Sequence, residues 1–284
     1  MISTPGIVQD PDPRYWRTHM YGLPLDRWEY LRDRSYWITG AGTGFGWAIT
    51  AALASAGSQI FLTGRREDKL RQAIGNLVSL GIPTNSCQIV AADITDPRAV
   101  ERASAFIREH CRCLHGLVNN AAIPQRIEYQ YPLHQESVEF WDEIMRVNVR
   151  APWFVTKTAL PVMLKAGEVR VLFITSAAGW SFASGYGQYN ITKAALNSLA
   201  ACFAEECRTA FPDVDIQINA LDPGQARTEM NPGSTRSPFT AACMALLILS
   251  HPRNGPNGKF FSHDGGHLEF CNAAAYGKPL KDGN

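Results

Sequence analysis

The sequence predicts an α/β fold: a doubly wound parallel sheet of about seven strands, with helices on both faces, in a single domain. After about residue 35, short apolar runs alternate with longer stretches of helical periodicity, which indicates parallel strands joined by crossover helices. The apolar runs are continuous, as is typical of strands that are buried on both faces. A ligand is then expected at the carboxyl ends of the strands.

The predicted strands follow one another along the chain at 35–39, 59–63, 87–91, 116–119, 169–175, 214–221 and 259–262. Helices fill the intervals, and one of them is predicted to start with Asp96 as its N-cap and Pro97 at its first position. Residues 1–34 fall outside this pattern. Their aromatic residues Trp16, Trp28 and Tyr30 predict an arm that packs on the body or on a neighbouring subunit.

These patterns divide the chain into an N-terminal arm (1–34), the α/β domain (35–267) and a C-terminal tail (268–284). The segment His267–Phe270, at the boundary between the domain and the tail, is predicted to reach a neighbouring subunit.

Composition predicts an ordinary soluble protein, with 45% hydrophobic and 19% charged residues. A net charge of +1 gives no reason to expect nucleic acid as a partner. The N-terminus has no apolar core of the kind found in signal peptides, and the longest apolar run near the C-terminus, 241–250, is too short to span a membrane. The seven cysteines are scattered, with Cys111 and Cys113 the only close pair, and the histidines have no metal-ligand spacing. We therefore expect a cytoplasmic protein without a metal or membrane partner.

A glycine-rich segment, "TGAGTGFG", follows the first predicted strand and leads into a helix. Glycine permits a tight turn and a close approach of the backbone to a phosphate, and the helix N-terminus offers free N–H groups. In this context the segment predicts a dinucleotide phosphate site.

A tyrosine and a lysine share one helix face in the stretch "SGYGQYNITKAALNSLA". Tyr189 and Lys193 are four residues apart and can meet, whereas Tyr186 lies almost two turns from the lysine. A nearby ammonium lowers the pKa of a tyrosine towards working pH, where the phenol can pass a proton. The pair is therefore a candidate for general acid–base chemistry.

The chain resembles the short-chain dehydrogenase/reductase family from residue 35 to about 267. The resemblance depends on motifs in family order: Thr39-Gly40-x-x-x-Gly44-x-Gly46, Asp93, "NNAA" at 119–122, Asn148, Ser176, Tyr189-x-x-x-Lys193 and "PGQART" at 223–228. It implies a Rossmann-like fold and an NAD(P)-dependent oxidoreductase, a ketoreductase that interconverts a small-molecule carbonyl and a secondary alcohol. It also implies a homodimer or homotetramer through the helices that carry Asn148 and Tyr189.

The resemblance further implies the roles of the catalytic residues. Tyr189 would be the general acid or base, and Lys193 would lower its pKa and hold the nicotinamide ribose. Ser176 would hydrogen-bond the substrate oxygen, and Asn148 would hold a water that links Lys193 to solvent. The cofactor would contact Gly40, Thr43, Gly44, Phe45, Gly46, Arg65, Arg66, Asp93, Ile94, Asn120, Ala121, Ala122, Tyr189, Lys193, Pro223, Gly224, Ala226 and Thr228.

The end of the second predicted strand bears on the choice between NADP(H) and NAD(H). NAD enzymes of this fold usually have an acid there, whereas this chain has Gly64 followed by Arg65 and Arg66. A 2′-phosphate would meet no repulsion, and Arg65 can contact it through two N–H groups. The sequence favours NADP(H), although an arginine pair at a helix start is also compatible with a solvated surface.

The chain departs from the family pattern in two places. The segment 229–238, between Thr228 and the next helix, is short, which predicts an open mouth suited to a bulky substrate. Ala122 replaces the commoner glycine of "NNAG", which requires that this position need no left-handed backbone.

The sequence leaves the substrate open. Trp180, Phe182 and Tyr186 are candidates for the substrate pocket, either as platforms for a sugar or nucleobase or as walls of an apolar pocket. One alternative function is a redox enzyme acting on a nucleotide-activated or other sugar in surface-polysaccharide synthesis. A second is an NADP-binding sensor or scaffold without turnover, against which the intact Ser176, Tyr189, Lys193 and Asn148 argue.

Overall fold

The computed structural model describes residues 17–125, 133–181 and 185–269. Its centre is an eight-stranded sheet with the strand order β3-β2-β1-β4-β5-β6-β7-β8. The strands are β1 Ser35–Thr39, β2 Gln59–Thr63, β3 Cys87–Ile89, β4 Gly116–Asn119, β5 Glu168–Ile174, β6 Asp215–Asp222, β7 Lys259–Ser262 and β8 His267–Glu269. All neighbouring pairs from β3 to β7 are parallel. The prediction of a doubly wound parallel sheet of about seven strands is confirmed.

The eighth strand changes the interpretation of the C-terminal edge. β8 pairs with β7 in the antiparallel sense, with Phe261 opposite His267 and Lys259 opposite Glu269. The start of the segment that was predicted to reach a neighbouring subunit therefore completes this chain's own sheet. Phe270 and the rest of the tail lie outside the described residues.

Helices cover both faces of the sheet. They are α1 Leu25–Leu31, α2 Gly44–Ser55, α3 Glu67–Ser79, α4 Pro97–His110, α5 Val138–Met145, α6 Ala151–Met163, α7 Gly187–Ala210 and α8 Phe239–Leu249. Consecutive strand residues enter opposite cores, because Ile38 packs with α1, α2, α3 and α8 whereas Trp37 packs with α4, α6 and α7. None of the helices within the described ranges is long and apolar enough to cross a membrane.

The predicted start of α4 is also confirmed. The Asp96 side chain accepts a hydrogen bond from the Arg98 N–H at 2.9 Å, and Pro97 occupies the first turn. Val100, Ala103 and Ile107 then repeat at helical spacing on the buried face.

Residues 17–34, the described part of the chain before β1, pack on the body of the same chain. Tyr21 is buried and its ring stacks against Trp28 of α1 and Phe239 of α8. The Tyr30 hydroxyl donates to Glu168 at the start of β5 at 2.8 Å. Residues 17–34 thus complete one helical layer, while Trp16 lies outside the described residues.

A buried ion pair lies at the amino ends of β5 and β6. The Arg170 Nη2 atom is 2.6 Å from Asp215 Oδ2, and the two side chains are 2% and 4% exposed. This end of the sheet is opposite to the carboxyl ends of the strands.

Candidate active site

A cavity of about 840 Å³ opens at the carboxyl ends of the strands, which is within the range of small-molecule sites. Most of the predicted site residues line it: Gly40, Thr43, Gly44, Phe45, Arg65, Arg66, Asp93, Ile94, Asn120, Ala121, Ala122, Ser176, Tyr186, Tyr189, Lys193, Pro223, Gly224, Ala226 and Thr228. Gly46, Asn148 and Trp180 are not among the lining residues. Phe182 lies outside the described residues.

The glycine loop after β1 has the geometry of an anion cradle. Gly40 and Gly44 have φ values of +65° and +56°, a left-handed backbone that favours glycine. A Cβ atom on Gly46 would lie 2.2 Å from the Gly40 carbonyl oxygen and 2.5 Å from Asn120 Nδ2. Gly46 therefore allows the turn to pack closely against Asn120. The helix α2 begins at Gly44 and presents its N-terminus to the cavity. The cradle fits the pyrophosphate of a dinucleotide.

Asn120, the residue after β4, holds the glycine loop against the end of this strand through hydrogen bonds. Its Nδ2 atom donates to the carbonyl oxygens of Thr39 at 3.0 Å and Gly40 at 3.1 Å. Its main-chain N–H donates to Thr39 Oγ1 at 3.0 Å. Ala122, which replaces the commoner glycine, is not among the residues with positive φ. Position 122 therefore needs no left-handed backbone, as the sequence required.

Asp93 shapes the loop after β3. Its Oδ1 atom accepts hydrogen bonds from the N–H and the hydroxyl of Thr95, both at 2.9 Å. Asp93 itself lines the cavity beside Ile94. The hydrogen bonds to Thr95 use only its Oδ1 atom, so they are compatible with a contact to an adenine ring.

Ser176, Tyr189 and Lys193 meet at the other end of the cavity. Ser176 follows β5, and its Oγ atom accepts a hydrogen bond from the Ala178 N–H at 3.1 Å. The Lys193 Nζ atom lies 5.4 Å from the centre of the Tyr189 ring and donates to the Ile174 carbonyl oxygen at 3.0 Å. The shared helix face predicted from the spacing of the tyrosine and the lysine is thus present in α7.

Burial dominates the protonation of both groups. It raises the pKa of Tyr189 to about 12, although a hydrogen bond with Ser176 lowers it in part. Burial lowers the pKa of Lys193 to about 8. The expectation was that the ammonium brings the tyrosine pKa down, but the pKa is raised, because desolvation of the phenolate outweighs the lowering effect of the hydrogen bond with Ser176.

Sequence reasoning missed Asp222, the last residue of β6. This carboxylate lines the cavity, and its charge raises the pKa of both Tyr189 and Lys193. Its Oδ1 atom also accepts a hydrogen bond from the Gly224 N–H at 3.0 Å. Its position directly before the Pro-Gly pair was the available signal, because a strand that ends in a parallel sheet delivers its last residue to the site.

Asn148 lies in the π-helical turn Arg146–Arg150 between α5 and α6 and is buried. Its side-chain oxygen accepts from the Ile123 N–H, and its nitrogen donates to the Ile123 carbonyl oxygen, both at 2.9 Å. The nitrogen also donates to Thr192 Oγ1 at 3.2 Å. The side chain therefore ties the loop after β4 to α7, and the water-holding role of Asn148 stays a prediction.

The three aromatic candidates for the substrate pocket are placed differently. Tyr186 lines the cavity and is partly exposed, as a wall residue requires. Trp180 instead has its ring stacked on Phe260 of β7, with the ring centres 6.0 Å apart. Only Tyr186 of the described pair is thus placed to contact a substrate in this cavity.

The two arginines after β2 differ in the contacts of their side chains. Arg65 is exposed and lines the cavity. Arg66 forms an ion pair with Glu229, a residue of the loop after β6, with Nη2 and Oε2 2.5 Å apart. Sequence reasoning missed Glu229, because the two residues are far apart in the chain and meet only across the mouth of the cavity.

A nucleotide cradle and a Ser–Tyr–Lys group in one cavity are the marks of a nicotinamide-dependent oxidoreductase. A family model described as short chain dehydrogenase matches residues 35–238, and the chain belongs to this family. It is 31% identical over 193 residues to gluconate 5-dehydrogenase of Gluconobacter oxydans, which covers 68% of this chain and 71% of that protein.

Solved structures show the same fold. A short chain dehydrogenase from Pseudomonas syringae superposes with a TM-score of 0.75 at 26% identity, covering 83% of this chain and 96% of that one. A short chain dehydrogenase from Shigella flexneri, whose structure is complexed with NADP, has a TM-score of 0.75 at 22% identity, covering 83% and 99%.

Proposed function

We propose that the protein is an NADP(H)-dependent oxidoreductase that reduces a carbonyl to a secondary alcohol. The observation that carries this proposal is the cavity itself, which has the glycine cradle at one end and Ser176, Tyr189 and Lys193 at the other. Burial raises the pKa of Tyr189 to about 12, so the phenol carries a proton at neutral pH that it can donate to a substrate oxygen.

Each residue of the site has a separate role in the proposed reaction. A nicotinamide cofactor, once bound, would supply the hydride that the carbonyl carbon accepts. Tyr189 donates its proton to the carbonyl oxygen, and the Ser176 hydroxyl hydrogen-bonds that oxygen while negative charge develops on it. Lys193 holds the ribose hydroxyls and brings a positive charge near the phenol, so that the tyrosinate left after proton transfer is stabilised. Asn148 is proposed to hold a water that links Lys193 to solvent for proton resupply.

The preference for NADP(H) is supported by Gly64 and Arg65. Gly64 places no carboxylate beside the position of the 2′-hydroxyl, and the exposed Arg65 side chain lines the cavity there. The NADP bound to the Shigella flexneri relative supports the same cofactor.

A panel of carbonyls and alcohols with NADPH and NADH, followed by cofactor absorbance, tests the proposal. We expect turnover with NADPH exceeding that with NADH. Tyr189→Phe should lose at least about 100-fold in kcat while it keeps cofactor affinity. A clear NADH preference would overturn the Arg65 assignment, and unchanged turnover in Tyr189→Phe would overturn the role of the tyrosine. Retained NADPH binding without turnover on any substrate would favour a sensor or scaffold.

A sugar-like substrate is the second candidate. It is favoured by the similarity to gluconate 5-dehydrogenase, whose name describes oxidation of a sugar acid. The panel therefore includes sugar acids, their keto forms and nucleotide sugars. Turnover confined to simple ketones would exclude this candidate.

A further inference from the structure

The loop after β6 forms a tight turn that lies on the glycine loop. Thr228 and Asn231 are joined by two main-chain hydrogen bonds, of 3.3 and 3.1 Å. The Thr228 methyl carbon lies 3.1 Å from where a Cβ atom on Gly44 would be. Met230 and Asn231 of the same turn line the cavity, so the position of this turn sets part of the cavity wall.

Glu229 fastens the turn to the start of α3. Its two carboxylate oxygens lie 2.5 and 3.4 Å from the two terminal nitrogens of Arg66. Lys69 Nζ lies 3.9 Å from Oε1 of the same carboxylate. Glu229 is thus the group that connects the turn to the loop at the end of β2, which is where the proposed 2′-phosphate would bind.

The forked contact between Glu229 and Arg66 is the arrangement by which a guanidinium also binds phosphate. The hydrogen bond to Glu229 raises the pKa of Arg66. Both side chains are about half exposed, at 56% and 50%, and such pairs contribute little to stability. A phosphate monoester carries a charge of about −1.5 to −2 at neutral pH, so it can displace a single carboxylate from the arginine.

We propose that Glu229 is an internal competitor of the cofactor 2′-phosphate at Arg66. A cofactor that carries this phosphate displaces Glu229 and releases the turn Thr228–Asn231 from α3. A cofactor without it leaves the pair intact. Glu229 thereby lowers the affinity for NADP(H) but not for NAD(H), and it links the identity of the cofactor to the wall of the substrate site. This inference rests on the proposed function, namely NADP(H) bound in this cavity.

Direct titration of Glu229→Gln with NADPH and with NADH, by cofactor fluorescence at low ionic strength, tests the inference. We expect NADPH to bind about five-fold more tightly than to the wild type, because an exposed pair is worth up to about 1 kcal/mol. NADH affinity should stay within about two-fold. The gain should shrink in 0.5 M salt, where exposed charges are screened.

Glu67→Gln is the matched control, since Glu67 begins the same helix, pairs with Arg71 on its surface and does not line the cavity. It should change neither affinity. In the background of Arg66→Gln, the Glu229→Gln change should give no gain, because the contested arginine is gone.

Two other results would overturn the inference. If Glu229→Gln weakens the binding of both cofactors, the ion pair instead stabilises the cofactor-bound form. If it changes the ratio of the two affinities by less than two-fold, Glu229 does not compete with the phosphate. A wild-type protein that binds NADH more tightly would instead refute the proposed cofactor, and the inference with it, so the wild-type ratio separates the two failures.

Discussion

The ammonium of Lys193 lies 5.4 Å from the centre of the Tyr189 ring, one helical turn away, and donates to the Ile174 carbonyl oxygen at the end of β5. This hydrogen bond fixes the lysine between the helix and the sheet, with its charge beside the phenol. The ammonium is almost fully removed from water, so its protonation depends on the few charges around it. The pH dependence of the reaction therefore reports on this residue.

We predict that kcat/KM for carbonyl reduction falls above a pH of about 8. Burial lowers the pKa of Lys193 to about 8, so the ammonium, which we propose holds the ribose and stabilises tyrosinate, is present below that pH and lost above it. The phenol, with a pKa of about 12, stays protonated throughout. A pH–rate profile between pH 6 and 10 measures the limb, and a profile that stays flat through this range would contradict the assignment.

We predict that Asp222→Asn moves this limb to lower pH. The Asp222 carboxylate raises the pKa of Lys193, so its removal makes the ammonium lose its proton earlier. Asparagine keeps an oxygen that can accept from the Gly224 N–H, so the turn is preserved. Glu67→Gln, which removes an acid outside the cavity, should leave the limb in place. A limb unchanged in Asp222→Asn would show that Asp222 serves only the turn.

We predict that Gly46→Ala weakens NADPH binding at least about ten-fold. Its Cβ atom would meet the Gly40 carbonyl oxygen at 2.2 Å, so the backbone of the cradle must shift, and such shifts in a positioned site are costly. Gly75→Ala is the control, because its Cβ atom meets nothing within 4 Å inside α3. It should raise the free energy of unfolding by about 0.5–1 kcal/mol with unchanged affinity. Fluorescence titration and urea denaturation measure both quantities.

The sequence predicted the elements whose signals are local. Apolar runs located the parallel strands, Asp96 and Pro97 located the start of α4, and the spacing of Tyr189 and Lys193 placed both on one face. The sequence did not predict the ion pair between Glu229 and Arg66, because that contact joins two loops that are distant in the chain. The direction of the Tyr189 pKa shift was also missed, since burial is a property of the folded chain.

Other predictions stay predictions. The boundaries at 35 and 267, the cytoplasmic location and the oligomeric state depend on measurements beyond the fold of one chain. The short strand His267–Glu269 was missed because three residues carry too little periodicity to separate a strand from a tail.

We predict that Arg170→Met destabilises the protein by about 3–5 kcal/mol at pH 7. Burial alone would raise the pKa of Asp215, but the Asn254 N–H and Arg170 outweigh it and hold this pKa below its usual value. The carboxylate thus stabilises the fold at neutral pH, and this contribution is lost as the pH falls through the lowered pKa. Without Arg170 the buried Asp215 carboxylate keeps the hydrogen bonds from Asn254 and Gln217 but loses its counter-charge. Protonation relieves this, so the difference from wild type should shrink on acidification.

Urea denaturation at pH 7 and pH 5 measures this effect. Asp215→Asn in the Arg170→Met background should recover part of the loss, because it removes the unpaired charge. Cofactor affinity should stay unchanged, since β5 separates Arg170 from Ser176 by about 20 Å. Equal destabilisation at both pH values would point to lost packing instead.

We predict a homo-oligomer through α6, which follows the π turn of Asn148, and α7, which carries Tyr189. Trp153 on α6 and Ile191 on α7 are large apolar residues with substantial exposure, and such residues are common at interfaces. Trp153→Glu should shift the mass measured by light scattering towards a monomer. Val78→Glu, at an exposed apolar position on α3, should not. A wild-type monomer at micromolar concentration would contradict the prediction.

We predict that the enzyme accepts bulky carbonyl substrates whose far end remains outside the cavity. Residues 229–238, between Thr228 and α8, contain no helix, and the exposed Tyr186 ring lines the cavity wall. In a series of methyl ketones of increasing chain length, kcat/KM should rise up to about four-fold per buried methylene, as ~0.8 kcal/mol gives. It should then level off once the chain passes the mouth. Tyr186→Ala should flatten the rise for long ketones and spare the shortest, whereas a strong preference for small ketones would refute an open mouth.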